Sequence, residues 1–456
     1  MRRYASVNPA TGETVAEFAH ATDAEVDEAL DRADAEFGRW RRRELADRAA
    51  VATRIGAVLR ERTEPLAELL TLEMGKPIAQ ARVEVDLAAR IFEYYAEHAA
   101  EFLADEEIEV AGSGTAVVKT EPVGALIGIM PWNFPYYQVA RFAAPNLVLG
   151  NTVLLKHARS CPQSAAAIAA AFHEAGLPHD AYIDLRADNA QIARLIADPR
   201  VHGVSLTGSE GAGAAVAEVA GRHMKKVVLE LGGSDALIVL DDADLDAAAA
   251  GAAAGRFFNT GQACTSAKRV IVLDSVYDEF LEKYVAEAAG WTTGDPRDEA
   301  TRLGPLSSLA ARDELRAQVD DAVAKGATVH LGAEIDDAPG AFYPATILSG
   351  ITPDMVAYGE ELFGPAAAVH RVVDEDAAVA LANDTRFGLS AAVFSGDVER
   401  AKRLADRLDT GMVWINSVSR SSPELPFGGV KASGIGRELG SFGIHEFANK
   451  KLIRIP

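Results

Sequence analysis

The spacing of apolar positions changes partway along this chain. Through residues 23 to 61 and 64 to 103 they recur at three and four, as at Val26, Leu30, Ala33 and Phe37. That period predicts helices, with Asp23 as an N-cap, Pro65 in a first turn and Gly75-Lys76-Pro77 as an interruption. After the turn Gly112-Ser113-Gly114, residues Thr115 to Lys119 alternate and predict part of a hairpin arm. From Gly124 onward short β-rich runs take over: Ala125 to Met130, Thr152 to Lys156, Ala181 to Leu185, Gly203 to Thr207 and Val227 to Leu231. Helical stretches divide them, notably Ser164 to Glu174, Ala190 to Ala197 and Ala212 to Ala220. Repeated β-α units predict a parallel sheet covered on both faces, with a ligand, usually a nucleotide, at the carboxyl ends of its strands.

A second α/β series begins after Gly232-Gly233, where the hinge is placed. It comprises a strand Ala236 to Leu240, an Ala-rich helix Ala243 to Ala254 with Asp244 and Asp246 in its first turn, and a strand Arg269 to Leu273. Helices through Tyr284 and from Ala310 to Lys325 follow, with strands near Thr328, Tyr343, Val369, Ala391 and Met412. The fold class is therefore α/β with two parallel-sheet domains. A length of 456 residues fits this, being too great for one compact core.

Composition narrows the partners. With 45 Lys+Arg against 67 Asp+Glu the formal net charge is −22, which disfavours nucleic acid and anionic membranes. A small anionic substrate stays open, because distant charge is screened beyond about 8 Å at physiological salt. No apolar run spans a bilayer and the basic start lacks an apolar h-region, so a cytoplasmic protein is expected. Cys161 and Cys264, the only cysteines, provide neither a disulfide framework nor a zinc site, and the ten histidines show no ligand spacing, so no metal is implied.

Cys264 lies in Arg256 to Arg269, RFFNTGQACTSAKR, among Asn259, Thr260, Gly261 and Gln262. Small and amide-bearing residues let backbone approach a bound group and leave sulfur accessible, pointing to a nucleophile. A buried structural thiol is the alternative. Pro131-Trp132-Asn133-Phe134-Pro135 follows a strand, its prolines stiffening a turn that presents the Asn133 amide. Glu230 stands in Val228-Leu229-Glu230-Leu231-Gly232-Gly233, where desolvation raises a carboxyl group towards general-base use, unless a hidden cation pairs with it. Gly208-Ser209-Glu210-Gly211-Ala212-Gly213 opens a helix after a strand and suits a pyrophosphate, although it is not G-x-G-x-x-G.

These stretches resemble, in order, motifs of the aldehyde dehydrogenase superfamily, together with Glu361-Leu362-Phe363-Gly364-Pro365 and Pro426 to Gly434. The resemblance implies Cys264 as nucleophile, Asn133 and the Cys264 N–H as oxyanion hole, and Glu230 as the base that activates water. It implies a dinucleotide held by Trp132, Asn133, Lys156, His157, Ala158, Arg159, Gly208, Ser209, Gly213, Leu231, Glu361 and Phe363. Where many NAD-preferring relatives carry Glu, this chain has Arg159, so NADP is expected over NAD, which stays possible. PWNFPYYQVARFAAPNLVLGN, LLKHA, LELGGSD and SSPELPFGG resemble most closely the short succinate-semialdehyde dehydrogenases. In that group Arg141 and Ser421, less surely Ser422, correspond to residues that bind a distal carboxylate. Such a charge-assisted bond, about 1.5–3 kcal/mol, favours an acid-bearing aldehyde roughly ten- to hundredfold. A salt bridge along its helix is the competing reading of Arg141.

Two departures matter. Some relatives carry an arginine where this chain has Phe258, a loss that Arg420 would have to offset. Ser266 replaces the second cysteine of redox-switched relatives, so no local disulfide switch is expected. The resemblance also implies a cofactor domain from 1–107 and 122–231, rejoined by 426–443, a catalytic domain from 232–425, and an arm from 108–121 and 444–456 pairing strands between subunits of a homodimer or homotetramer. A thiol hydrolase or acyltransferase using Cys264 and Glu230 without hydride transfer is the reading from another class.

Overall fold

A computed structural model describes residues 3–335 and 339–456. Two parallel sheets dominate. The first has six strands in the order Gly434–Ile435, Lys226–Glu230, Val201–Thr207, Ala125–Met130, Thr152–His157 and Tyr182–Asp184, all parallel except the first. The second has seven, in the order Thr328–Leu331, Thr346–Ser349, Ala366–Val372, Ala267–Leu273, Asp235–Val239, Ser390–Phe394 and Met412–Ile415, with only the Thr328–Leu331 edge antiparallel. The central strands Ala267–Leu273, Asp235–Val239 and Ser390–Phe394 are buried at every position, as strands covered on both faces must be.

Helices Asp23–Trp40, Leu45–Glu61, Thr63–Met74 and Ile78–Phe102 fill the amino-terminal region, the last three joining helix Tyr137–Leu149 in one core around Ile55, Leu70, Phe92 and Phe142. The cap of the first helix is Thr22, not Asp23: Thr22 Oγ1 accepts from the Glu25 N–H while the Glu25 carboxylate accepts from the Thr22 N–H. The arm is a three-stranded antiparallel sheet in which Thr115–Pro122 lies between Glu106–Ile108 and the carboxyl-terminal strand Ala448–Ile455. Its span is longer than the alternation suggested because the terminal strand supplies a partner along its whole length.

Three expectations need correction. Strands Tyr4–Val7 and Thr14–Phe18 form a hairpin that the sequence pattern did not reveal. Tyr343 lies outside any strand, buried against Leu315 and Leu348, and the strand begins at Thr346. The Ala-rich helix runs Leu245–Phe257, and Asp244 is its cap, accepting from Asp246 N and Ala247 N.

Candidate active site

In the six-stranded sheet the chain leaves Ala125–Met130 towards Thr152–His157 on one side and returns through Val201–Thr207 on the other. The reversal opens a crevice at the strands' carboxyl ends. Trp132 and Asn133, Ala158 and Arg159, Gly208 to Gly213, and Leu231 follow these ends, and Lys156 and His157 are the last residues of their strand. Ser209 caps helix Glu210–Arg222. Gly213 is required for close approach, since a Cβ there would lie 2.7 Å from Leu231 Cδ2. Arg159 Nε is buried without a hydrogen-bond partner among the described residues, which suits an incoming phosphate oxygen. Burial, followed by the nearby Arg159, pushes Lys156 down to about 8. The Trp132 and Phe363 rings meet edge to face at 5.7 Å.

His157 departs from the expected contact role. It is buried, its Nε2 lies 3.0 Å from Pro135 O, and its Nδ1 accepts from Ala158 N at 2.8 Å. With both ring nitrogens engaged, it fixes the Pro131–Pro135 turn from behind. Burial pushes it down to about 4, so the ring is neutral.

The Cys264 loop approaches from the second sheet, at the amino end of Ala267–Leu273. Asn259 and Thr260 both have φ of 54°, and Gly261 has 69°. This conformation disfavours β-branched Thr260, whose hydroxyl is pinned to Gly304 by bonds of 3.3 and 3.1 Å. Arg256, fully buried, donates to Ala366 O at 2.6 Å, Gly261 O at 3.3 Å and Leu362 O at 2.6 Å, and also to Gly364 O. It thereby ties the Cys264 loop to the Glu361–Gly364 loop. Lys268 donates to Ala263 O at 2.9 Å and Cys264 O at 2.5 Å, and pairs with Glu361 at 2.8 Å.

Asn133 meets this loop from the first sheet. Its Nδ2 donates to Gln262 O at 3.0 Å, leaving a second amide hydrogen, while Gln138 Nε2 donates to its Oδ1 at 3.2 Å. Its carbonyl accepts from Lys76 Nζ at 2.9 Å and Asn259 Nδ2 at 3.0 Å. Lys76 is paired to buried Glu84, which accepts from Tyr136 N at 2.8 Å and Tyr137 N at 3.2 Å, at the start of helix Tyr137–Leu149.

Cys264 is partly exposed, and Cys161 is buried with its Sγ 3.8 Å from Trp132 O. Burial pushes the Cys264 thiol up to about 12, with Lys268 and then Arg141 opposing. Glu230 is 1 % exposed, and neither of its carboxyl oxygens has a hydrogen-bond partner among the described residues. Burial holds it well above the usual carboxylate range, against the pull of Arg141. No direct ion pair to Glu230 is present among the described residues, so the hidden-cation alternative is not what the structure contains. A Cβ at Gly428 would lie 2.8 Å from Glu230 Oε1, so glycine there leaves the carboxyl its space.

Arg141 is not the free cation that a carboxylate-binding residue was expected to be. It is 1 % exposed, ion-paired to Glu438, and donates to Thr207 Oγ1 at 3.0 Å and Tyr137 Oη at 3.3 Å. It serves an ion pair, but not the salt bridge along its helix that was the competing reading: the partner lies far along the chain, outside helix Tyr137–Leu149. Tyr137 Oη donates to Ser421 Oγ at 2.7 Å, so Ser421 reaches this group through the tyrosine. Arg420 and Phe258 are exposed. Ser266 is buried where a second cysteine would stand.

Lys76, Glu84, Arg256, Lys268 and Glu438 were missed because each looks like a surface residue in sequence. One signal was available for Lys268, a charge inside a strand whose every position is buried. A surface clasp was also missed: Arg386 bridges Glu210 of the glycine turn at 3.0 Å and Glu360 at 2.7 Å. A separate cleft of about 820 Å³, between Asn8–Glu13, Glu64–Leu72 and Asp295–Arg297, contains none of these groups.

A partly exposed cysteine and an unpaired buried acid that both act on one buried arginine, with an amide donor bound two residues before the cysteine and a dinucleotide-type crevice, define a class. This chain belongs to the aldehyde dehydrogenase family, whose pattern matches residues 1–453. It is 56% identical over 453 residues, 99% of this chain and 95% of the relative, to the succinate-semialdehyde dehydrogenase [NADP(+)] of Deinococcus radiodurans. It is 45% identical over 453 residues, 99% of each chain, to succinate-semialdehyde dehydrogenase [NADP(+)] 1 of Mycobacterium tuberculosis. Among solved structures, the succinic semialdehyde dehydrogenase of Streptococcus pyogenes in complex with NADP+ superposes with TM-score 0.97 at 42% identity, covering 99% of this chain and 100% of that one.

Proposed function

We propose that this protein oxidises succinate semialdehyde to succinate with NADP+ as hydride acceptor. The observation that carries the reading is that Cys264 and unpartnered Glu230 both act on the buried charge of Arg141, while the Asn133 amide is bound to Gln262 in the cysteine loop and Arg159 and Lys156 stand at the strand ends of the crevice. The names of the relatives support the substrate and cofactor.

Cys264, as thiolate, attacks the aldehyde carbon, and the new oxyanion accepts hydrogen bonds from Asn133 Nδ2 and the Cys264 N–H. Glu361 would hold the nicotinamide ribose, with Phe363 and Trp132 beside the ring, and the bound cofactor would supply the acceptor for the hydride that leaves the thiohemiacetal carbon, leaving Cys264 in a thioester. Glu230 then takes a proton from water, whose oxygen attacks the thioester and frees the acid and the sulfur. Glu230 must itself ionise first, which the charge of Arg141 favours. Arg159 and Lys156 hold the adenosine ribose and its 2′-phosphate, and Ser209 and Gly213 shape the pyrophosphate turn.

For the distal carboxylate, Ser421 and Tyr137 are the nearer donors and Arg141 the charge behind them. Replacing Arg141 with Ala is expected to reduce kcat/KM for succinate semialdehyde roughly tenfold or more relative to a neutral aldehyde of the same length. An unchanged ratio would remove the substrate assignment. NADP+-dependent absorbance change on succinate semialdehyde, absent with thioester alone, separates this reading from a thiol hydrolase. The arm strand Ala448–Ile455, with Leu452 and Ile455 about 60% exposed, supports strand pairing between subunits in a dimer or tetramer. The domain limits 1–107 with 122–231, 232–425 and the arm remain part of this proposal.

A further inference from the structure

Lys268 follows the nucleophile by four residues and is the second residue of strand Ala267–Leu273, buried at every position, yet it is a charge only 1 % exposed. An ammonium carries three N–H donors. Here they meet Ala263 O at 2.9 Å, Cys264 O at 2.5 Å and Glu361 Oε1 at 2.8 Å. One cation thus grips both the backbone of the nucleophile and the acid proposed to receive the nicotinamide ribose. Glu361 Oε1 also accepts from Gly233 N at 3.2 Å, which holds the carboxylate against the interdomain crossing.

We infer that Lys268 is a positioning residue that couples filling of the ribose site at Glu361 to the reactivity of the Cys264 thiol. The inference rests on the NADP reading above. While Glu361 faces Lys268, its negative charge cancels much of the ammonium's field at the sulfur. Ribose hydroxyls donating to Glu361 draw that negative charge towards the ligand, and the ammonium is left with the Ala263 and Cys264 carbonyls. A thiolate is then favoured, and the thiol proton passes to solvent through the partly exposed face of Cys264.

Other groups face the sulfur. Arg141 favours the thiolate, whereas Glu361 and Asp235 oppose it. Arg141 is fixed by Glu438, and Asp235 by Ser390. Tyr137, on the helix packed against the loop, is held protonated chiefly by burial. Arg256 also joins the two loops, but through backbone carbonyls, whereas the Lys268–Glu361 pair links them through the carboxylate itself, so the ligand-dependent change in charge falls on Lys268.

The test is the pH profile of iodoacetamide alkylation of the full-length protein, with and without saturating NADP+, with Cys264→Ser as the blank for Cys161. NADP+ is expected to lower the wild-type midpoint by about one pH unit, roughly a tenfold change in thiolate fraction at neutral pH. Shielding by ligand alters the plateau, not the midpoint. Lys268→Met should lose the ligand-induced shift while Lys268→Arg retains most of it, with NADP+ affinity and melting temperature followed in parallel. Glu361→Gln covers the case in which Lys268→Met fails to fold: without any ligand its midpoint should already lie near that of the NADP+-bound wild type. A Glu361→Gln midpoint equal to that of the unliganded wild type, or a folded Lys268→Met that shifts with NADP+ as the wild type does, would overturn the coupling. Failure of wild type to bind NADP+ by fluorescence titration would instead remove the cofactor reading, and the unliganded Glu361→Gln profile would still decide whether this pair controls the sulfur.

Discussion

The two sheets build their halves of the site with opposite charges. At the carboxyl ends of the six-stranded sheet, helices begin and bare N–H groups converge, and buried acids satisfy them. Glu84 accepts from Tyr136 N and Tyr137 N, and Glu73 accepts from Gln163 N and Ser164 N at 2.9 and 2.8 Å. At the amino ends of the seven-stranded sheet, loops enter strands and their carbonyls turn inward, and buried cations satisfy them. Arg256 and Lys268 do so around Cys264, and Arg269 donates to Ser234 O, Leu381 O and Ala382 O at 2.7 to 2.8 Å. The polarity of the exposed backbone groups dictates the sign of the buried side chain. A crevice for an anionic dinucleotide and a field that favours a thiolate are both by-products of strand direction.

The largest expected effect is loss of turnover in Cys264→Ser, on the order of 10³-fold or more, measured as NADPH absorbance. Next, Asn133→Ala should lower kcat by about 10²–10³ and Glu230→Gln by about 10²–10⁴, the latter with a labelled thioester accumulating on Cys264 in a quenched-flow sample. The charge contrast itself is tested by Glu84→Gln, which leaves Lys76 buried without its counter-ion, and by Arg256→Met, which strips the carbonyls of their donor. Each is expected to cost roughly 3–5 kcal/mol in denaturant unfolding. If Glu84→Gln were neutral, the acid half of the comparison would be broken.

A pH experiment sharpens the first sheet's share. Lys156, held at about 8, is charged below that value and neutral above it. NADP+ binding should therefore weaken several-fold as pH rises from 7 to 9, and Lys156→Arg should flatten the trend in a fluorescence titration. The smallest effect belongs to the exposed clasp: Arg386→Gln should raise the NADP+ KM only about two- to threefold, and added salt should reproduce much of that in the wild type.

The alternation of strands and helices was legible because each strand is an uninterrupted apolar run, as in Ala125–Met130, whose limits the structure repeats unchanged. The stretches around Cys264, Asn133 and Glu230 stood out in the sequence because their glycines and prolines shape backbone, a local property. The buried charges were not. Glu84 reaches Tyr136 across 52 positions and Arg141 pairs with Glu438 across about two thirds of the chain, so their environments exist only after packing. Arg141 shows the consequence: a motif identified the side chain but said nothing of the carboxylate already waiting for it. The hairpin at Tyr4–Val7 was lost for the same reason, since its strands are too short for a period to emerge.

Gly434–Ile435 adds an antiparallel edge to the first sheet beside Glu230 and Leu229. Next to it Ser433 accepts from Gly388 N at 3.0 Å, donates its hydroxyl to Gly232 O at 2.6 Å, and offers its carbonyl to Leu231 N at 2.9 Å. The crossing at Gly232-Gly233, which its glycines would mark as a swivel, is thus tied through Ser433 to the edge strand that follows it and to the stretch around Gly388. A jaw-like parting of the two sheets about these glycines would have to break all three bonds.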